Sequence, residues 1–294
     1  MEPSRTFVKE QQLPSFFRPF TLCMRDRLSV RLYSDSRPNC LEIAPLQKGL
    51  VLIFDGEELI EEGVGFGVPV VKYNDKTYFS SSAECSIEEN GNLCILVKSF
   101  VLDTVSRKRV WKTSYIDDQF YSFVHKLFER AYLGHKNLAP FFNRIMELRR
   151  IIKVQTEFTK VKPRGTITFK YSFQSSIIKI NVNFSNLDLA KCQEILILDE
   201  QGSTFFRKYF DTDGLRLFDE GIGAWEVVKA KEASLSDAKE ALTFTLRNKE
   251  PSVLFRGWEK TKGRFSWAGL NYSLHPGLHT FDYVIKLTIK TKAV

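Results

Sequence analysis

The run Glu61-Glu62-Gly63-Val64-Gly65-Phe66-Gly67-Val68-Pro69 is the most distinctive chemical signal in the sequence. Adjacent carboxylates can act as general acid and base, and glycines at alternate positions let backbone approach a ligand closely. A phosphate loop would need Lys-Ser/Thr after its glycines and a helix to follow, whereas Val-Pro-Val-Val leads into a strand here. A dinucleotide fingerprint fails because it too must open a helix. The simpler reading is a bent or bulged strand packed closely against another.

Three further clusters carry chemistry-bearing side chains. His275 and His279 are four residues apart, a spacing that aims two imidazoles at one metal on a helix; Pro276 and Gly277 between them predict a turn instead, in which the pair would flank a substrate. Asp211, Asp213, Gly214, Asp219 and Glu220 are dense in carboxylates, but an EF-hand loop needs a further ligand before its glycine and a Glu at fixed distance after it. An Asp-Gly turn accounts for them, and no metal site or cofactor is expected. The third cluster, Arg256, Trp258, Lys260, Arg264 and Trp267, interleaves aromatics with cations. Such a segment can stack on bases while holding phosphates, or stack on sugar rings, and it also suits a twisted hairpin with Trp buried and cations outside. A nucleophile elbow is absent, which leaves acyl transfer without a foothold.

Composition sets the frame for these residues. At 294 residues, 43% hydrophobic and 27% charged, the chain can bury a large core without staples, and its 25 phenylalanines suit sheets packed face to face. No run approaches the roughly 20 apolar residues that span a bilayer, and the start is not signal-like, so a soluble, cytoplasmic protein is expected. Five cysteines, Cys23, Cys40, Cys85, Cys94 and Cys192, contain no CxxC and read as free thiols. With Asn90-Gly91 as a two-residue turn, Cys85 would face Leu96 and Ile87 would face Cys94. The formal charge of +8 admits an anionic partner, although the cations are spread along the chain.

Periodicity predicts the elements that must position these groups. Strands are expected from Phe16 to Trp111, including Leu28 to Tyr33, Gly49 to Phe54 closed by an Asp55-Gly56 turn, Val68 to Tyr73, Lys76 to Ser86 and Leu93 to Leu102. The period then changes. After Asp117-Asp118, Phe120, Phe123, Val124, Leu127, Phe128 and Ala131 form a helical stripe stopped by Gly134, and a second helix is predicted from Pro140 to Ile152. Period two returns at Thr166 to Phe173 and most cleanly at Ile178-Lys-Ile-Asn-Val-Asn-Phe184, with further strands near Glu194 to Leu198, Trp225 to Ala230, Ala241 to Leu246, Ser252 to Phe255 and Phe281 to Thr291. The expected fold is mainly β: an antiparallel β-sandwich or supersandwich with an inserted α-helical hairpin. The expected organisation is an N-terminal β part (1–115), the hairpin (116–152) and a C-terminal β part (153–294) sharing one core.

The hairpins around Leu50 to Ala83, with the glycine-rich turn into Val68-Pro69-Val70, resemble the galactose mutarotase-like supersandwich of sugar epimerases and polysaccharide-processing enzymes. That resemblance implies a carbohydrate ligand, with a His and a carboxylate moving a proton in a cleft on the concave sheet; it assigns no particular pair in this chain. Two functions are therefore expected. One is carbohydrate binding or processing, with Trp258 to Trp267 as the stacking platform and Glu61, Glu62, His275 and His279 as acid/base groups. The other is a noncatalytic interaction protein that holds nucleic acid or an acidic partner on its basic faces. Convergence of the histidines with Glu61 or Glu62 and Trp258 in one cleft would favour catalysis.

Overall fold

The structure, a computed structural model, describes residues 19–25, 27–34, 37–39, 42–59, 64–74, 76–90, 93–112, 132–133, 136–137, 152–202, 205–260 and 266–290. Contacts divide the chain into one unit of residues 1–105 with 160–294 and a second of residues 106–159.

The first unit is built from two sheets whose strands pair antiparallel. Sheet I runs, in spatial order, β1 (Phe20–Arg25), β2 (Leu28–Leu32), β5 (Leu50–Phe54), β7 (Gly65–Tyr73), β17 (Cys192–Gly202), β24 (Ser266–Leu274), β23 (Val253–Lys260) and β20 (Glu226–Val227). Short strands β6 (Glu57–Glu58) and β8 (Lys76–Phe79) pair with β5 and β7. Sheet II runs β19 (Arg216–Phe218), β18 (Phe206–Asp211), β21 (Glu232–Asp237), β22 (Leu242–Arg247), β25 (Thr280–Ile289), β16 (Ile177–Asn183), β15 (Thr166–Gln174), β10 (Leu93–Val101) and β9 (Ser82–Asn90). A separate ladder joins β3 (Arg37–Asn39) to β4 (Glu42–Leu46). Both sheets thus draw strands from either side of residues 106–159. In the second unit β11 (Thr104–Lys112) pairs with β14 (Ile152–Lys160), and β12 (Tyr132–Leu133) pairs with β13 (Lys136–Asn137).

Residue patterning explains how the sheets stack. In β15, β16 and β25 every second residue is buried, so Phe169, Tyr171, Ile180, Val182, Phe281, Tyr283 and Ile285 face inward while their neighbours face out. The middle of sheet I is buried on both faces, and β5 reads Leu-Val-Leu-Ile-Phe without a polar residue. Aromatic rings cross between the sheets edge to face: Phe66 meets Phe244 at 5.1 Å, and Tyr272 meets Tyr283 at 5.1 Å. Each such pair contributes about 1 kcal/mol beyond its buried area.

Several expected turns are present. Asp55 and Gly56 both have positive φ (53° and 85°), the condition for the two-residue hairpin turn whose twist matches its strands. The hairpin of β9 and β10 differs by one residue from expectation. Leu93 pairs with Asn90 and Leu96 with Ile87, one residue off the register that an Asn90-Gly91 turn requires. Cys85 then lies opposite Lys98 and Cys94 opposite Glu89.

The predicted helical hairpin is not found among the described residues. Most of it, 116–131, 134–135 and 138–151, lies outside them. The described stretches within it, β12 and β13, pair as strands, and Ile152 opens β14 instead of closing a helix. The physical reason at Ile152 is local: Ile152, Val154, Thr156 and Phe158 alternate with polar residues, so period two has already resumed.

Candidate functional site

The glycine-rich run is a bulged strand in its described part, residues 64–69. The register of β7 against β17 shifts between Leu198, opposite Val68, and Asp199, opposite Phe66, which leaves Gly67 out of the ladder. Gly67 has φ 74°, and a Cβ there would stand 2.8 Å from the Tyr171 hydroxyl and 3.0 Å from the Phe169 ring. Only glycine satisfies both the conformation and the space. The released Gly67 N–H donates to Asp199 Oδ1 at 2.8 Å. Glu61 and Glu62 lie outside the described residues.

This bulge prepares a buried carboxyl that sequence reasoning missed. Asp199 is fully inaccessible; its Oδ1 also accepts from the Tyr283 hydroxyl at 2.9 Å, and its Oδ2 has no partner among the described residues. Burial pushes its carboxyl up to about 8, against the smaller opposing pull of the Tyr283 and Gly67 donors. The neutral acid is therefore the main form at pH 7. The Tyr171 and Tyr283 hydroxyls are raised well above their ordinary value, chiefly by burial. On the other face of β17, Glu200 Oε1 accepts from Asn271 Nδ2 at 2.7 Å, and Asn271 Oδ1 accepts from the Asp199 N–H at 2.9 Å. The signal in the sequence was three polar residues, Asp199-Glu200-Gln201, directly after Ile195-Leu196-Ile197-Leu198 in one strand.

The remaining predicted site residues do not gather. Trp258 packs against the core with its indole nitrogen buried and without a partner among the described residues, so it does not present that donor to a ligand. Arg256 bonds Glu226 at 2.7 Å and covers the Tyr209 ring at 4.7 Å. The backbones of Lys260 and Trp267 lie in β23 and β24, while their side chains, and all of Arg264, are outside the described residues. His275 and His279 are exposed in the turn that follows β24. Trp258 pairs with Ala268 at the other end of that strand, seven residues from His275, or about 23 Å at 3.3 Å per residue. The Asp211 turn is self-contained: Asp211 Oδ1 accepts from the N–H groups of Asp213 and Leu215, and Asp219 is held by Arg207.

A cavity of about 620 Å³ lies instead on the outward face of sheet II. Strand register makes its wall a grid. One row aligns Lys170, Asn181 and Asp282; the next aligns Ile95, Ser172, Lys179 and Val284; the third aligns Lys286 with Thr245. Lys170, Lys179 and Lys286 consequently form a diagonal across three strands, with steps of about 7–8 Å. Arg247 and Lys249 complete five cations, against two carboxylates in the lining, Glu232 and Asp282. Glu232 is shared by Arg247 at 3.3 Å and Lys286 at 3.4 Å, Lys170 pairs with Glu88 at 2.8 Å, and Asp282 accepts from Asn181 at 2.6 Å. Lys179 is exposed and has no ion-pair partner among the described residues.

The cavity opens where two strands part. The β22–β25 ladder ends at Thr245 opposite Lys286, whereas β25 continues beside β16 as far as Thr280. Lys249 bridges the fork, its Nζ donating to the Asp282 carbonyl at 2.6 Å. Beneath lie Tyr272, which donates to the Arg247 carbonyl at 2.6 Å, and Tyr283, the residue that also holds Asp199.

No helix among the described residues is long and apolar enough to cross a membrane, and no group of His, Cys, Asp and Glu among them is arranged to hold a metal. No family model matches the chain, and no curated protein matches it. Among solved structures, the Slr1438 protein from Synechocystis sp. PCC 6803 aligns over 98% of this chain and 100% of its own, at 10% identity and a TM-score of 0.42. The functional reading therefore rests on the geometry of the cavity itself.

Proposed function

We propose that this protein binds an anionic ligand in the cavity on the outward face of sheet II. The observation that carries the reading is the lining: five cationic side chains against two carboxylates around about 620 Å³, with Lys179 left without a counter-charge among the described residues. Cations gathered around a concave site attract an anion more strongly than the same charges scattered on a convex surface. The volume is that of a small-molecule site. Ser172, Asn181 and Thr245 supply hydroxyl and amide groups in the same lining to fix orientation. Within the two functions the sequence allows, this favours an acidic partner over a sugar platform at Trp258.

Calorimetric titration with pyrophosphate, citrate and decanoate at low and moderate salt tests the reading. Saturable binding of at least one anion is expected, weakened by added salt and reduced about tenfold or more by Lys179→Glu, which reverses one charge in the lining. Absence of binding by all three, or binding indifferent to Lys179→Glu, overturns it.

A further inference from the structure

The cavity has a second character besides charge. Its cations sit along the outward rows of sheet II, but its lining also includes Ile180, Leu246, Tyr272 and Tyr283, residues of the hydrophobic core. They lie beneath the fork where β22 leaves β25 and are buried. Val284, 38% exposed, and Ile95 extend the apolar surface outward in the same row as Lys179. A sheet face at a protein surface ordinarily carries polar residues at these positions, and an apolar patch that continues into a cavity marks a binding site. Apolar floor and cationic rim are thus juxtaposed within one or two residue spacings.

Resting on the anion-binding reading of this cavity, we infer that its ligand is a small amphipathic anion, with the apolar body lying at the β22–β25 fork over Val284 and Ile95 and the anionic head against Lys179. Charge complementarity selects the head. The apolar surface of Val284 and Ile95 selects the body, because a compact inorganic anion would leave that surface in water and gain nothing from it. The hydroxyl and amide groups of Ser172 and Asn181, beside Lys179 in the grid, supply hydrogen bonds to head-group oxygens.

The test compares decanoate, acetate, pyrophosphate and 1-octanol by calorimetry against the full chain. Decanoate is expected to bind at least about tenfold more tightly than acetate, since each additional buried methylene is worth about fourfold. Octanol is expected to bind more weakly than decanoate because it lacks the charge. Two surface variants separate the parts. Lys179→Gln should weaken decanoate severalfold and leave octanol unchanged; Val284→Asn should weaken decanoate severalfold and leave pyrophosphate unchanged. Both positions are solvent-facing on regular strands, so the fold should tolerate either change. Pyrophosphate binding as tightly as decanoate, or decanoate no tighter than acetate, overturns the amphipathic ligand while leaving an anion site standing. If no anion binds, both readings fall together.

Discussion

Replacement of Asp199 by Asn should make the protein more stable at neutral and alkaline pH, by an amount that depends on pH in a calculable way. Asp199 is fully buried, and its carboxyl is raised from the ordinary 3.8 to about 8. Between those values the folded protein holds a proton that the unfolded chain has lost. Stability is therefore complete at acid pH and falls as pH rises, by about 1.4 kcal/mol per pH unit. From pH 4 to pH 7 this group alone removes about 4 kcal/mol, and the loss levels off above the folded value near 8. Asn at this position keeps an oxygen for the Gly67 N–H and the Tyr283 hydroxyl, and its amide stands in for the protonated oxygen of the acid. Asp199→Asn should match the wild type to within about 1 kcal/mol near pH 4 and exceed it progressively above that. Urea unfolding of both proteins at intervals from pH 5 to pH 8 gives the difference directly, and taking the difference cancels every other titrating group. A difference that is flat with pH, or that favours the wild type more as pH rises, would refute the assignment of a neutral buried acid.

Other consequences follow from particular contacts. Gly67→Ala should destabilise by about 2–4 kcal/mol in chemical denaturation, because a Cβ meets the Tyr171 hydroxyl at 2.8 Å with φ at 74°. Phe244→Ala should cost about 3–5 kcal/mol, since its ring lies edge to face with both Phe66 and Phe206 between and within the sheets. Trp258→Ala should lower the unfolding midpoint through lost core packing, while decanoate affinity measured by calorimetry stays unchanged. Lys179→Glu should leave stability within about 0.5 kcal/mol of the wild type, as an exposed side chain without an ion pair among the described residues has little to lose.

Much of the first unit was readable because its strands are amphipathic in the simplest sense. The alternation from Ile178 to Phe184 predicted an inner face of Ile178, Ile180 and Val182 and an outer face carrying Lys179 and Asn181, as found. The Asp55-Gly56 turn was equally plain, since two positive φ values select those residue types. Other strands were silent for physical reasons. β21, Glu-Ala-Ser-Leu-Ser-Asp, is buried along nearly its whole length and so has no polar face to alternate with. β24 was obscured because Trp267, at its start, was grouped with the cations of the preceding strand, whereas Ala268, Leu270, Tyr272 and Leu274 mark its buried side. The cavity could not be read at all. Its cations come from Lys170 on β15, Lys179 on β16, Lys286 on β25 and Arg247 on β22, and only the sheet order makes them neighbours. Asp199 was hidden for a similar reason: its environment depends on a one-residue bulge and on a tyrosine from the opposite sheet.

The most direct test of the anion site is to map it. Amide resonances of the deuterated full-length protein, followed by NMR during titration with decanoate, should shift saturably and most strongly at Ser172, Lys179, Asn181, Thr245 and Val284, the facing positions of the sheet II grid. Saturable shifts centred on the Trp258 hairpin or on the turn holding His275 and His279, with the sheet II positions unmoved, would contradict it.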